Sequence, residues 1–103
     1  MRGQQIPGVA KTEFSPRIRS EEYGEFVALA KNDPEFPDTH ARWVEIIEQS
    51  DAERRALGMT IHEVEIYPQQ FAAWCWACGL NPGFNTVMAF TIAKGIGHHE
   101  VKR

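Results

Sequence analysis

Apolar residues recur at three- and four-residue spacing in several stretches of the chain, which is the pattern of amphipathic helices. The first helix is predicted to begin at Ser20, a favourable N-cap followed by two glutamates, and to end before Pro34, because a residue that precedes proline is displaced from the helical region. A second helix is predicted to begin after a cap at Asp38 or Thr39. Each has an apolar stripe along one side, so both are expected to pack against a core.

The middle of the chain contains two capping-box patterns, in which a serine or threonine and a glutamate three positions later cap a helix reciprocally. The first, Ser50 to Glu53, predicts a short third helix over 51–57 that ends at Gly58. The second, at Thr60, competes with an alternation of β-branched and polar residues over 61–67. We favour a strand there. Its partner is expected to be the N-terminal arm or the same strand of a second copy, because its backbone groups must pair.

The last part of the chain predicts two helices separated by a turn. Pro68 suits the first turn of a helix over 69–78, and Gly79 suits the left-handed position that ends it. A final helix is predicted from Phe84 or Asn85 to Lys94, with glycines after it as the stop and 96–103 as a frayed tail. Residues 1–19 show no periodicity and contain several glycines and prolines, so we expect a flexible or extended arm.

These elements predict a single domain over residues 1–103. Its expected class is mainly α, with four or five short helices packed as an orthogonal bundle, a C-terminal αα-hairpin and one short strand over 61–67. The alternative is an α+β fold in which that strand pairs with the N-terminal arm or across a dimer.

Charge is distributed unevenly along the chain. Residues 21–65 hold twelve of the fourteen acidic side chains, and no charged residue lies between Ile66 and Ala93. The net charge is -3, and the last predicted helix offers only Lys94, at its end, to a phosphate backbone. Nucleic acid is therefore not an expected partner. Four basic residues of the first twenty could contact an acidic partner, nucleic acid or the acidic face of a neighbouring subunit: Arg2, Lys11, Arg17 and Arg19.

The uncharged C-terminal hairpin has no side suited to water. Trp74 and Trp76 point in nearly opposite directions, because two residues of a helix rotate by about 200°. A chain of 103 residues has little material to surround two such helices, so we expect a homodimer formed across a two-fold axis by residues 69–94. The alternatives are that the hairpin is the core of a monomer, or that it binds another protein. The expected interface residues are Phe71, Trp74, Trp76, Phe84, Met88 and Phe90.

Cys75 and Cys78 form a C-x-x-C pair, the one arrangement with a candidate chemistry. A redox pair needs a thiolate stabilised at a helix N-terminus, whereas these cysteines lie in later turns. Zinc needs four ligands, which would require His62 or other histidines in addition to the pair. We therefore expect buried thiols, with no catalytic residue, metal ligand or cofactor, and we keep zinc on Cys75, Cys78 and His62 as an alternative.

The first residues contain no apolar segment typical of a secretory signal, and prolines and glycines interrupt the uncharged segment, so we expect no membrane span. Two cysteines without such a signal favour the cytoplasm. The predicted function is a non-enzymatic interaction or assembly module. The alternatives are a regulatory domain that binds nucleic acid or protein, and a zinc or redox protein.

Overall fold

A computed structural model describes the backbone of residues 11–101 and the side chains of residues 11–97. This part of the chain contains a two-stranded sheet and four helices. The elements are β1 (Thr12–Arg17), α1 (Tyr23–Leu29), α2 (His40–Ala56), β2 (Thr60–Glu65), α3 (Pro68–Cys78) and α4 (Phe84–Val101), with a single 3-10 turn at Ser20–Glu22. α3 begins at Pro68, one residue before the predicted start, and its predicted end at Gly79 is confirmed, with the left-handed φ of 68° at Gly79.

The strand predicted over 61–67 is present as β2, and the competing helical capping box at Thr60 does not form a helix. β2 pairs in parallel with β1, from Thr12 opposite Thr60 to Arg17 opposite Glu65. A parallel connection needs a long crossover, which α1 and α2 supply. The partner of β2 is thus the segment that we expected to be an extended arm. The first ten residues of that arm lie outside the described residues.

The predicted third helix over 51–57 is wrong, because α2 runs without a break through this segment. Ser50 lies inside the helix and does not cap a new one. The reason is long-range: Asp51 is only 1% exposed and its carboxylate is bonded to residues of β1, so this turn is fixed as buried helix interior. The left-handed Gly58 follows the longer helix instead, with φ of 89°.

The predicted end of the last helix at Lys94 is also wrong, since α4 continues to Val101. Gly95 was expected to stop the helix, but it is buried inside it. A Cβ atom at Gly95 would collide with the ring of Phe14 on β1. The glycine therefore allows close approach of helix and strand. The helix also includes residues 96–101 of the expected frayed tail, and 102–103 lie outside the described residues.

Half of the buried apolar residues of the core are aromatic. Phe71 of α3 contacts Phe26 of α1 and Phe90 of α4, with ring centroids 5.6 and 5.7 Å apart. Tyr23 and Trp43 join α1 to α2 at 6.0 Å. The buried apolar residues are Ile18, Tyr23, Phe26, Ala30, Phe36, Trp43, Ile47, Ile66, Phe71, Cys75, Val87 and Phe90. All four helices thus contribute to one apolar core.

A buried ionic cluster joins α2 to the sheet. Asp51 accepts hydrogen bonds from Ser15 Oγ at 2.9 Å, Arg17 Nη2 at 3.1 Å and Arg54 Nη2 at 2.8 Å. Burial raises the pKa of Asp51, but the hydrogen bonds from Ser15, Arg54 and Arg17 outweigh it, so the pKa lies below its usual value. Arg17 also reaches Glu63 of β2 at 3.2 Å. One carboxylate therefore organises contacts among α2, β1 and β2.

Replacing Asp51 with Asn is expected to lower the free energy of unfolding at pH 7 by about 3 kcal/mol, because two arginines lose their buried partner. The folded pKa of Asp51 is below its unfolded value of about 3.9, so its contribution is present above that pH and is lost as pH falls through the folded pKa. Urea denaturation of both proteins at several pH values measures this difference. It should be constant down to about pH 5 and shrink below about pH 4.

The matched control is Glu53→Gln, an exposed carboxylate on the same helix, which should change the unfolding free energy by less than about 0.5 kcal/mol. Equal effects of the two substitutions would contradict the role assigned to Asp51.

Candidate association surface

The exposed side of α3 is uncharged, and after the polar Gln69 and Gln70 of its first turn it is apolar. Ala73, Trp76 and Ala77 lie on it at three- and four-residue spacing, and Leu80 follows two residues after the helix ends. The indole of Trp76 is 88% exposed, whereas Phe71 on the opposite side of the helix is completely buried. We call Ala73, Trp76, Ala77 and Leu80 the α3 stripe.

An exposed stripe of the same kind runs along α4. Ala89, Ile92, Ala93 and Ile96 repeat at helical spacing, and all four are exposed, while Val87 on the other side is buried. The two isoleucines are 45% and 46% exposed. We call these four residues the α4 stripe. Both stripes result from helices whose apolar residues exceed what one face can bury.

α3 and α4 contact each other through residues that lie on neither stripe. Trp74 and Phe90 have ring centroids 5.3 Å apart, and Lys94 Nζ donates to Gln70 Oε1 at 3.2 Å. Lys94 Nζ also donates to the Glu65 carbonyl at 2.7 Å, and burial lowers the pKa of Lys94. The first charge after the uncharged segment is thus tied to β2 and α3 instead of lying on either stripe.

The six residues predicted for the interface differ in burial. Phe71 and Phe90 lie in the core of the single chain, Trp74, Phe84 and Met88 are half-buried against that core, and Trp76 is exposed. Sequence reasoning missed Leu80, Ile92 and Ile96. The spacing from Ala89 to Ile96 was the available signal for the α4 stripe.

Cys75 and Cys78 are three residues apart in the last turns of α3 and therefore lie on neighbouring positions of the helix surface. Cys75 is buried as expected, whereas the burial expected for Cys78 is wrong, because Cys78 is exposed; both thiols are free. Burial raises the pKa of Cys75, the opposite of the shift that makes a reactive thiolate. His62 lies on β2, and among residues with described positions no three His, Cys, Asp or Glu side chains are grouped to hold a metal ion. The geometry thus gives no support to a redox or zinc role for the C-x-x-C pair.

An open cleft of about 380 Å³ lies at the start of α4. Asp33 of the loop before α2 accepts hydrogen bonds there from the Phe84 N–H at 2.8 Å and the Glu35 N–H at 2.9 Å. These backbone bonds lower the pKa of Asp33. Gly83 allows the contact, since a Cβ there would lie 2.6 Å from Asp33 Oδ2. One carboxylate oxygen caps the start of α4 and the other holds the local turn at Glu35, which accounts for this acid without a ligand.

No protein-family model matches the chain, and no curated protein or solved structure is significantly similar to it. Within residues 11–101, none of the helices has the length and apolar character needed to cross a bilayer.

Ellman's reagent is expected to modify one of the two thiols rapidly in the native protein, because Cys78 is exposed while Cys75 is buried with a raised pKa. The absorbance of the released thiolate counts the modified groups. Cys78→Ser should abolish the rapid phase, and unfolding in urea should release the second thiol. Rapid modification of two thiols in the native protein would contradict the burial of Cys75.

Proposed function

We propose that this chain is a non-enzymatic assembly module that associates with a second copy of itself. In this proposal α3 and α4 form a C-terminal helical hairpin within an orthogonal arrangement of helices, and their exposed stripes pack across a two-fold axis. The observation that carries the proposal is the exposure of Trp76, an indole 88% accessible to water on a helix face without a charged residue.

The exposed area is large enough to matter energetically. Burying one indole removes about 200 Å² from water, worth roughly 5 kcal/mol at 25 cal/mol per Å². A symmetric contact buries the Trp76 of both copies, so the favourable free energy from these two side chains is roughly 10 kcal/mol. This is within the range of about 4–15 kcal/mol that association costs. Ile92, Ile96 and Leu80 supply further apolar area. A stable dimer is therefore within reach of these residues.

The composition of the stripes favours a second copy as the partner. An isologous interface places each surface against itself, so like charges would repel across the axis. Neither stripe contains a charge. Ala73 and Ala77 flank Trp76 on its helix face, and their small side chains leave room for the indole of the other copy. A surface that selects a charged partner would instead present complementary charge.

The proposed compartment is the cytoplasm. Both cysteines are free, as is usual where thiols are kept reduced. The proposal assigns no reaction, cofactor or metal to the chain.

Trp76→Glu is expected to convert a dimer of twice 11.7 kDa into a monomer of 11.7 kDa, because two buried carboxylates would face each other across the axis. Multi-angle light scattering over a concentration series measures the mass. Circular dichroism of the same samples should be unchanged, since Trp76 makes no contribution to the core of the single chain.

Leu57→Glu is the matched control. Leu57 is 75% exposed, but it lies in the turn after α2 and on neither stripe, so this variant should remain dimeric. A wild-type protein that is monomeric at millimolar concentration, or a Trp76→Glu protein that stays dimeric, would contradict the proposal.

A further inference from the structure

The outer edge of β2 offers unpaired backbone groups. In a parallel pair, alternate residues of a strand make all of its ladder bonds to one neighbour. The Thr60 N–H donates to the Lys11 carbonyl at 2.9 Å and the Ile66 N–H to the Arg17 carbonyl at 3.0 Å, so the even-numbered residues of β2 face β1. Ile61, Glu63 and Glu65 therefore direct their N–H and C=O groups to the opposite edge.

Lys94 ends this open edge at one side. Its ammonium occupies the outward carbonyl of Glu65 at 2.7 Å. In the part of the chain that the structure describes, nothing bonds to the outward N–H and C=O groups of Ile61 and Glu63. Most β2 side chains are exposed, so water has access along the strand. Four backbone groups, two donors and two acceptors, are thus available in ladder order.

β2 lacks proline, lysine and bulges, three of the devices that protect edge strands, and its charged residues are glutamates. Proline, lysine and bulges commonly block the addition of another strand. The sequence TIHEVE contains no proline or lysine, and its pairing with β1 runs unbroken from Thr60 to Glu65. β1 contains Pro16, which cannot donate to a ladder. Of the two strands, β2 is therefore the better candidate to pair with an additional strand.

The side chains of β2 indicate which residues would suit a strand that pairs with its outer edge. Glu63 and Glu65 lie on the same face of the sheet and are 61% and 47% exposed. Arg17 Nη2 lies 3.2 Å from Glu63 Oε2. Glu65 accepts a hydrogen bond from Tyr67 Oη at 3.1 Å and lies 3.8 Å from Arg19 Nε, so both carboxylates have a partner and remain accessible to solvent. The half-buried Val64 lies on the opposite face. An adjacent strand would place alternate side chains beside the two glutamates and the others beside Val64.

We propose that the outer edge of β2 binds an extended peptide segment of another protein, in which Lys or Arg alternates with β-branched apolar residues, and adds it as a third strand. Backbone hydrogen bonds at Ile61 and Glu63 hold the segment, and the two glutamates select basic side chains. The proposal does not depend on self-association, because it uses no residue of the α3 or α4 stripe.

The test uses the full chain labelled with ¹⁵N and the acetylated, amidated peptide KVKVKVK as the probe. Binding should shift the amide signals of Ile61 and Glu63 and slow their hydrogen exchange. Glu63→Pro removes the outward N–H without removing a β1–β2 bond, so it should weaken binding by roughly tenfold or more. Glu63→Gln keeps the N–H and should weaken binding only a few-fold, with a smaller salt dependence.

Two further probes keep the outcome decisive. The peptide EVEVEVE should not bind, and KVKVKVK methylated on alternate backbone nitrogens should lose binding even if Glu63→Pro does not fold. Absence of shifts at Ile61 and Glu63 with millimolar KVKVKVK would overturn the proposal. Equal binding of the acidic peptide, or of the methylated peptide, would overturn it as well.

Discussion

The fold is constrained by a helix that carries apolar side chains on both its buried and its exposed side. α3 carries no charged residue, and one side of it, formed by Phe71 and Cys75, supplies the centre of the core. Phe71 brings α1 and α4 together through ring contacts. The chain covers that side and leaves Trp76 on the other. A helix of this composition gains stability from burial on both sides, and the single chain provides only one.

The small sheet is stabilised on both faces, by polar contacts with α2 on one face and by packing against α4 on the other. On one face, Glu13, Ser15 and Arg17 form polar contacts with α2, centred on the carboxylate of Asp51. On the other face, Phe14 lies against Gly95 of α4. Two strands alone are marginally stable in water, so these helices supply the missing support. Among the described residues, the outward backbone groups of Ile61 and Glu63 have no partner, which is what makes β2 a candidate binding edge.

Local signals predicted those parts of the fold that depend on local chemistry. Pro68 and Gly79 mark the ends of α3, and the alternation after Thr60 marks β2, because turn and strand preferences act over a few residues. Signals of the same kind failed where a residue distant in sequence determines the local structure. Ser50 begins a capping box, but the pairing of Asp51 with Arg17 holds the segment inside a longer helix.

The candidate surface was only partly predictable for the same reason. The helical rotation between Trp74 and Trp76 shows that they face different ways, but it does not show which side the rest of the chain covers. Phe71 and Phe90 are aromatic residues of the kind found at interfaces, and we predicted them there, but they lie in the core of the single chain. Gly95 resembles a helix stop, yet its role is the close contact with β1. Each of these outcomes depends on packing between elements far apart in sequence.

The most direct measurement concerns the environment of Trp76 itself. Protein labelled with 5-fluorotryptophan gives one ¹⁹F signal for each of its three tryptophans, and the change of a signal between H₂O and D₂O reports exposure to solvent. If the α3 stripe is covered by a second copy, the solvent effect on Trp76 should be small at millimolar concentration and grow on dilution to that of a free indole. A large solvent effect on Trp76 at every concentration would contradict the account.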